Sequence, residues 1–137
     1  MQIIRRMSSA AISKLKDVDI DAKGVFKYIL LKVKVPTADG KLEDKTIVRG
    51  YAECPFHTDI NNKVISELET LKSQKIIQDF GSTVLGGGKI QHDPDKKTIN
   101  VYGESTGYGK ADHQLAVAIL KKAYPNYNIT FSEPSSK

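Results

Sequence analysis

Apolar and polar positions along this chain change their period several times, and each change marks an element. Val25–Val35 (VFKYILLKVKV) is the clearest extended segment. Side chains of a strand alternate faces with period two. The odd face carries Val25, Lys27, Ile29, Leu31, Val33 and Val35, and the even face carries Phe26, Tyr28, Leu30, Lys32 and Lys34. Lys32 and Lys34 stand where a strand turns polar at its end, but Lys27 interrupts an apolar row. A lysine is almost never buried without a partner. Lys27 therefore either snorkels out near the strand end or faces a cleft and meets an anion.

Pro36–Lys45 reads as a polar loop turning at Asp39-Gly40, and Thr46–Tyr51 as a second strand with Ile47, Arg49 and Tyr51 on one face. Ile60, Val64, Leu68 and Leu71 then fall on one helical stripe. Thr58 or Asp59 is the expected N-cap, which puts His57 at the mouth of the helix. Ile76–Phe80 is expected as a short strand and Gly81–Gly88 as a turn-rich connection. Lys89–Asp93 and Thr98–Gly103 read as a hairpin about Pro94–Lys97. A loop of small residues, Glu104–Lys110, leads to a second helix over Ala111–Ala123 with Leu115, Ala118, Ile119 and Ala123 as its buried stripe. Asn128–Phe131 is the last expected strand.

This order predicts one α+β domain over residues 17–131, with a mixed sheet of about five or six strands and two helices packed on it. Residues 1–16 hold four basic side chains, three serines and no acid, and are expected to form a flexible tail, as are residues 132–137. One unit recurs in outline: strand, polar loop, His, helix. It appears with His57 and again with His113. Two such units can bring two strand-to-helix loops to one end of a sheet, where α/β sites form.

At 137 residues the chain is long enough for a single domain. It has no run of about 18 apolar residues that would span a membrane. The single Cys54 cannot form an internal disulfide and fits a reducing, cytoplasmic location. The net charge of +5 suggests an anionic partner. Of 21 basic residues 18 are Lys, and Arg49 is the only Arg outside the tail. Nucleic-acid readers lean on Arg forks and on aromatic residues interleaved with basic ones. Neither pattern occurs here, so nucleic acid is not the expected partner.

Candidate chemistry concentrates in two places. Helix N-termini bind anions and disfavour imidazolium, so His57 is placed to be neutral, as a base or nucleophile must be. The plain alternative is a histidine that caps its own helix. Ser105-Thr106-Gly107-Tyr108-Gly109 offers hydroxyls and close backbone approach to an anion, although it lacks the Walker spacing. His57, His92 and His113 lie 35 and 21 residues apart with no HxxxH or CxxC, so no metal site is expected. Cys54 reads as a small buried filler.

Taken together, the strings DVDID (17–21), GVFKYIL (24–30), IVRGY (47–51), His57 with Asp59-Ile60 and Lys63-Val64, LGGGKI (85–90) with His92, VYGES (101–105), Tyr108-Gly109 with His113, and YPNY (124–127) resemble the Janus family, in order and over nearly the whole body. The resemblance implies one mixed sheet with two helices and hydrolysis of the P–N bond of phosphohistidine in proteins by a monomer without metal or cofactor. It implies His57 as the catalytic residue and Lys27, Arg49, Lys89, Ser105, Thr106 and Gly107 as substrate-binding residues. Lys89 stands where relatives often have Arg, and Phe56 where they often have Tyr. Catalysis and mere phosphoprotein binding are the two functions this pattern allows.

Overall fold

The computed structural model describes residues 12, 14–37 and 39–132. Six strands form one mixed sheet: β1 (Val18–Ile20), β2 (Gly24–Pro36), β3 (Leu42–Gly50), β4 (Gly81–Asp93), β5 (Thr98–Tyr102) and β6 (Asn128–Phe131), in the order β1-β3-β2-β4-β5-β6. Only the outer pairs, β1 with β3 and β5 with β6, are parallel. The helices α1 (His57–Ser73) and α2 (His113–Ala123) complete the α+β domain.

The two helices cover opposite faces of the sheet, and this explains why β2 is apolar on both sides. Ile29, Leu31, Val33 and Val35 pack in one core with Ile60, Val64 and Leu68 of α1. Phe26, Tyr28 and Leu30 pack in the other with Ala116, Val117, Ile119 and Leu120 of α2. Burying a large apolar side chain is worth about 1.5–3 kcal/mol, so the central strand contributes to two cores at once. The row on the α1 face stops at Lys27, where the helix ends and a cleft begins.

Several boundaries differ from those expected. β3 starts at Leu42 because its pairing with β2 runs out to Pro36–Leu42, with the polar Lys34–Asp44 pair on the way. β1 was not expected as a strand; its three residues are all half-buried at the sheet edge. Residues 76–80 form no strand. The amides of Ile76 and Ile77 instead bond back to Leu71 O, wrapping the end of α1, and Lys75 turns the chain with φ of 63°. Gly81–Gly88, expected as a turn, is the first half of β4. A bulge lies at Leu85, since Leu30 pairs with Gly86 and Leu31 with Val84.

The buried stripe of α2 is Ala116, Val117, Ile119 and Leu120, not the expected one, of which only Ile119 is buried. The helix turns Val117, Ile119 and Leu120 to the sheet together with Ala116, and leaves Leu115, Ala118 and Ala123 outside. The expected tail of residues 1–16 lies mostly outside the described residues. Leu15, however, is buried in the α1-face core, so packing begins ahead of the expected boundary at Asp17. Residues 133–137 also lie outside the description. No described helix is long and apolar enough to cross a membrane.

Candidate active site

A cleft of about 350 Å³ opens where the N-terminus of α1, the Lys27–Lys89 pair on β2 and β4, and the 104–108 loop meet. His57, Thr58, Lys27, Lys89, Ser105, Thr106 and Gly107 all line it. Six of the seven expected site residues are therefore brought together. Arg49 is the exception. It is fully buried inside the sheet, donates to Val48 O at 3.1 Å, and pairs with Glu67 of α1 at 3.4 Å. Its position on β3 turns it toward α1, and it does not line the cleft.

His57 is the first residue of α1, and Phe56 is the N-cap in extended conformation. Neither Thr58 nor Asp59 caps as expected. Asp59 sits inside the first turn, and its carboxylate accepts from the Phe56 N–H at 3.1 Å. This occupies the cap amide, and the Asp59 N–H bonds Phe56 O at 3.0 Å, which leaves the amides of the cleft-lining His57 and Thr58 without an intrahelical acceptor.

His57 is 8% exposed. Its Nε2 lies 2.9 Å from Gly88 O. A carbonyl only accepts, so Nε2 carries the hydrogen and donates. Burial lowers the pKa of His57; the bond to Gly88 opposes that, and the Lys27 and Lys89 charges add to the lowering. The ring is therefore neutral near pH 7, with its lone pair on Nδ1. The fit is tight on that same edge: a Cβ on Gly87 would lie 2.6 Å from His57 Cδ2 and 3.1 Å from Nε2. Nδ1 is on the edge turned away from this glycine.

The glycine run of β4 serves three neighbours. A Cβ on Gly86 would strike the Ala111 backbone at 2.7 Å, and one on Gly88 would strike Tyr102 O at 2.5 Å and His113 Cε1 at 2.7 Å. Three consecutive glycines let two histidines and the start of α2 approach the centre of the sheet. The same three residues read as a turn from the sequence; their place between two strand-like halves was the signal for close approach.

The 104–108 loop is braced from within. Ser105 N–H donates to Gly109 O at 3.2 Å, Gly109 N–H to Ser105 O at 2.8 Å, and Tyr108 N–H to Ser105 Oγ at 3.1 Å. Ser105 is buried, so its hydroxyl both holds the loop and keeps one hydrogen to donate. No backbone acceptor among the described residues takes the amides of Thr106 or Gly107. Lys27 and Lys89 form no ion pair with a carboxylate among the described residues, although exposed Glu104 also lines the cleft. Two unneutralised ammonium groups, open amides and a neutral imidazole are the complement of a tetrahedral oxyanion.

A second histidine outside the cleft completes the frame. His113 opens α2 just after the N-cap Asp112, whose side chain accepts from Leu115 N–H. Its Nε2 donates to Gly103 O at 2.8 Å, and its Nδ1 lies 2.6 Å from Tyr28 Oη. It thus ties the start of the 104–108 loop to the central strand.

Fold and cleft together define a small α+β domain with a histidine at the mouth of a basic cleft. The model of the Janus/Ocnus family matches residues 12–128, and the chain belongs to that family. It is 43% identical over 136 residues to the sex-regulated protein janus-A of Drosophila pseudoobscura pseudoobscura, covering 97% of this chain and 85% of the relative. It is 38% identical over 128 residues to the 14 kDa phosphohistidine phosphatase of Sus scrofa, covering 92% and 96%. The phosphatase of the same name from Homo sapiens is also 38% identical, with 92% and 97% covered.

Proposed function

We propose that this chain is a metal-independent protein phosphohistidine phosphatase, with His57 as the catalytic residue. The observation that carries the proposal is His57, whose Nδ1 has no hydrogen-bond partner among the described residues, in a cleft that also presents Lys27, Lys89 and the loop amides. Two relatives at 38% identity carry the phosphatase name, which supports the same reading.

Phosphoryl transfer needs charge stabilisation and in-line positioning more than elaborate covalent help. Lys27, Lys89, the amides of His57 and Thr58 and those of Thr106 and Gly107 hold the phosphoryl oxygens, and the Ser105 hydroxyl donates to one of them. Two routes share this geometry. In one, Nδ1 takes a proton from water as the water oxygen bonds phosphorus and the P–N bond breaks. In the other, Nδ1 itself bonds phosphorus as the substrate P–N bond breaks, and water later cleaves the bond from Nδ1 to phosphorus to release phosphate. In both, the leaving imidazole departs neutral when its other nitrogen carries a proton. In both, positive charge grows on the His57 ring, and the Nε2–H bond to Gly88 O stabilises it. One chain supplies every group, so a monomer suffices, and the lone Cys54 suits action in the cytoplasm.

Phosphate release from a chemically phosphorylated histidine protein tests the proposal. Wild type is expected to release phosphate in the presence of chelator, and His57→Ala is not. Binding without release identifies a phosphoprotein-binding module instead. Rapid quench with labelled phosphate separates the two routes: label on the protein means attack by His57.

A further inference from the structure

A second depression of about 220 Å³ adjoins the oxyanion cleft and is unused by the chemistry above. Lys27 and Lys89 line both spaces, so this registered pair is their common wall. The rest of the second space is made of Val25, Phe26, Ala52, Cys54 and Pro55, all without charge. Residues 54–58 run along both: Cys54 and Pro55 line the second space, and Phe56, His57 and Thr58 the cleft. The segment passes from one space to the other at the Pro55–Phe56 step and consecutive Cα atoms lie about 3.8 Å apart, so a substrate chain reaches the second space within one or two residues of the cleft.

Large exposed apolar side chains mark the same place. Val25 is 55% exposed at the outer end of β2, and Phe56 is 67% exposed at the cleft rim. Val25 lies on the odd face of β2 beyond the reach of α1, in line with Lys27. Nothing in the α1-face core uses either side chain. Exposed apolar groups beside a polar site are the usual makeup of a recognition surface.

We infer that the second space is a subsite for an apolar residue adjacent to the phosphohistidine of the substrate protein, held by Val25, Ala52 and Pro55 with Phe56 at the rim. The inference rests on the phosphatase reading and adds the substrate class: phosphohistidine followed or preceded by a bulky apolar side chain. An acidic neighbour is the competing occupant, since two ammonium groups border the space. The phosphoryl dianion in the adjoining cleft takes up their charge, and the remaining walls carry no charged side chain to pair with an acid.

The test uses the full chain and phosphohistidine peptides of one length with Leu, Gly or Asp beside the modified residue, plus free phosphohistidine as a minimal substrate. The Leu peptide is expected to exceed the Gly and Asp peptides in kcat/KM by about tenfold or more, as a filled apolar pocket gives. Ala52→Trp, which fills the space, is expected to abolish this preference while turnover of free phosphohistidine stays at the wild-type rate. Should Ala52→Trp also slow the free substrate, Val25→Ser is the second variant and is expected to weaken the preference alone. Equal kcat/KM for the three peptides, or a preference for Asp, overturns the subsite and leaves the phosphatase reading standing. Absence of phosphate release from every substrate overturns both.

Discussion

Two histidines open α1 and α2, and their rings press on adjacent glycines of β4 from opposite faces of the sheet, His57 on Gly87 and His113 on Gly88. Each donates Nε2–H to a backbone carbonyl, His57 to Gly88 and His113 to Gly103. Their other nitrogens separate them. Nδ1 of His113 is engaged by Tyr28 Oη, and the ring is 1% exposed; Nδ1 of His57 has no hydrogen-bond partner among the described residues and borders a cleft. A histidine with both nitrogens satisfied braces a fold. One with a single nitrogen satisfied is oriented and still reactive. His92 belongs with His113, since its Nδ1 meets Asp21 O at 2.8 Å and its ring packs against Tyr124 and Tyr127.

The contrast is broken most severely at the reactive ring. His57→Ala is expected to lower phosphate release by about a thousandfold or more, within the range for losing a base or nucleophile. Its circular dichroism and melting temperature should stay close to wild type. Gly87→Ala is expected next, with a loss of about a hundredfold, because the added Cβ at 2.6 Å from His57 Cδ2 displaces the ring. Comparison of kcat and KM for that variant checks it, with most of the loss in kcat.

His113→Phe should act mainly on stability. It removes both hydrogen bonds of a buried group and is expected to cost about 1–3 kcal/mol, read as a lowered denaturant midpoint. A His113→Phe variant as inactive as His57→Ala but fully stable would mean the two rings are not divided as described.

Lys27→Met should raise KM about tenfold, as removal of one charged contact to the phosphoryl group does. It also shifts the pH profile in a fixed direction. His57 works neutral, and its pKa is lowered, so kcat/KM is expected to rise with pH through a value below the ordinary histidine range and then level off. Removing the Lys27 charge takes away one cause of the lowering, so the acidic limb moves to higher pH. A limb that stays in place would show that Lys27 does not act on the ring.

Much of this was legible in the chain itself, and the failures have physical causes. Period-two patterning located β2, and Lys27 stood out there because it broke an apolar row; the structure puts that break at the end of α1 coverage. The stripe Ile60, Val64, Leu68 located α1 and hence His57. Gly86–Gly88 misled, because glycine marks both turns and close backbone approach, and only the third dimension shows two histidines filling the space. Arg49 entered the site by the family resemblance alone; a cation in a strand is equally suited to an anion outside or to a carboxylate across the core, and the structure places it against Glu67. The tautomer of each histidine was not legible at all, since it depends on carbonyls of Gly88 and Gly103, 31 and 10 residues away.

Histidine nitrogen NMR of the full chain addresses the central claim most directly. At pH 7, His57 is expected to show a protonated Nε2 and an unprotonated Nδ1, and added inorganic phosphate should move the Nδ1 resonance while those of His92 and His113 stay fixed. A protonated His57 Nδ1 at that pH, or a phosphate response centred on His113, would contradict it.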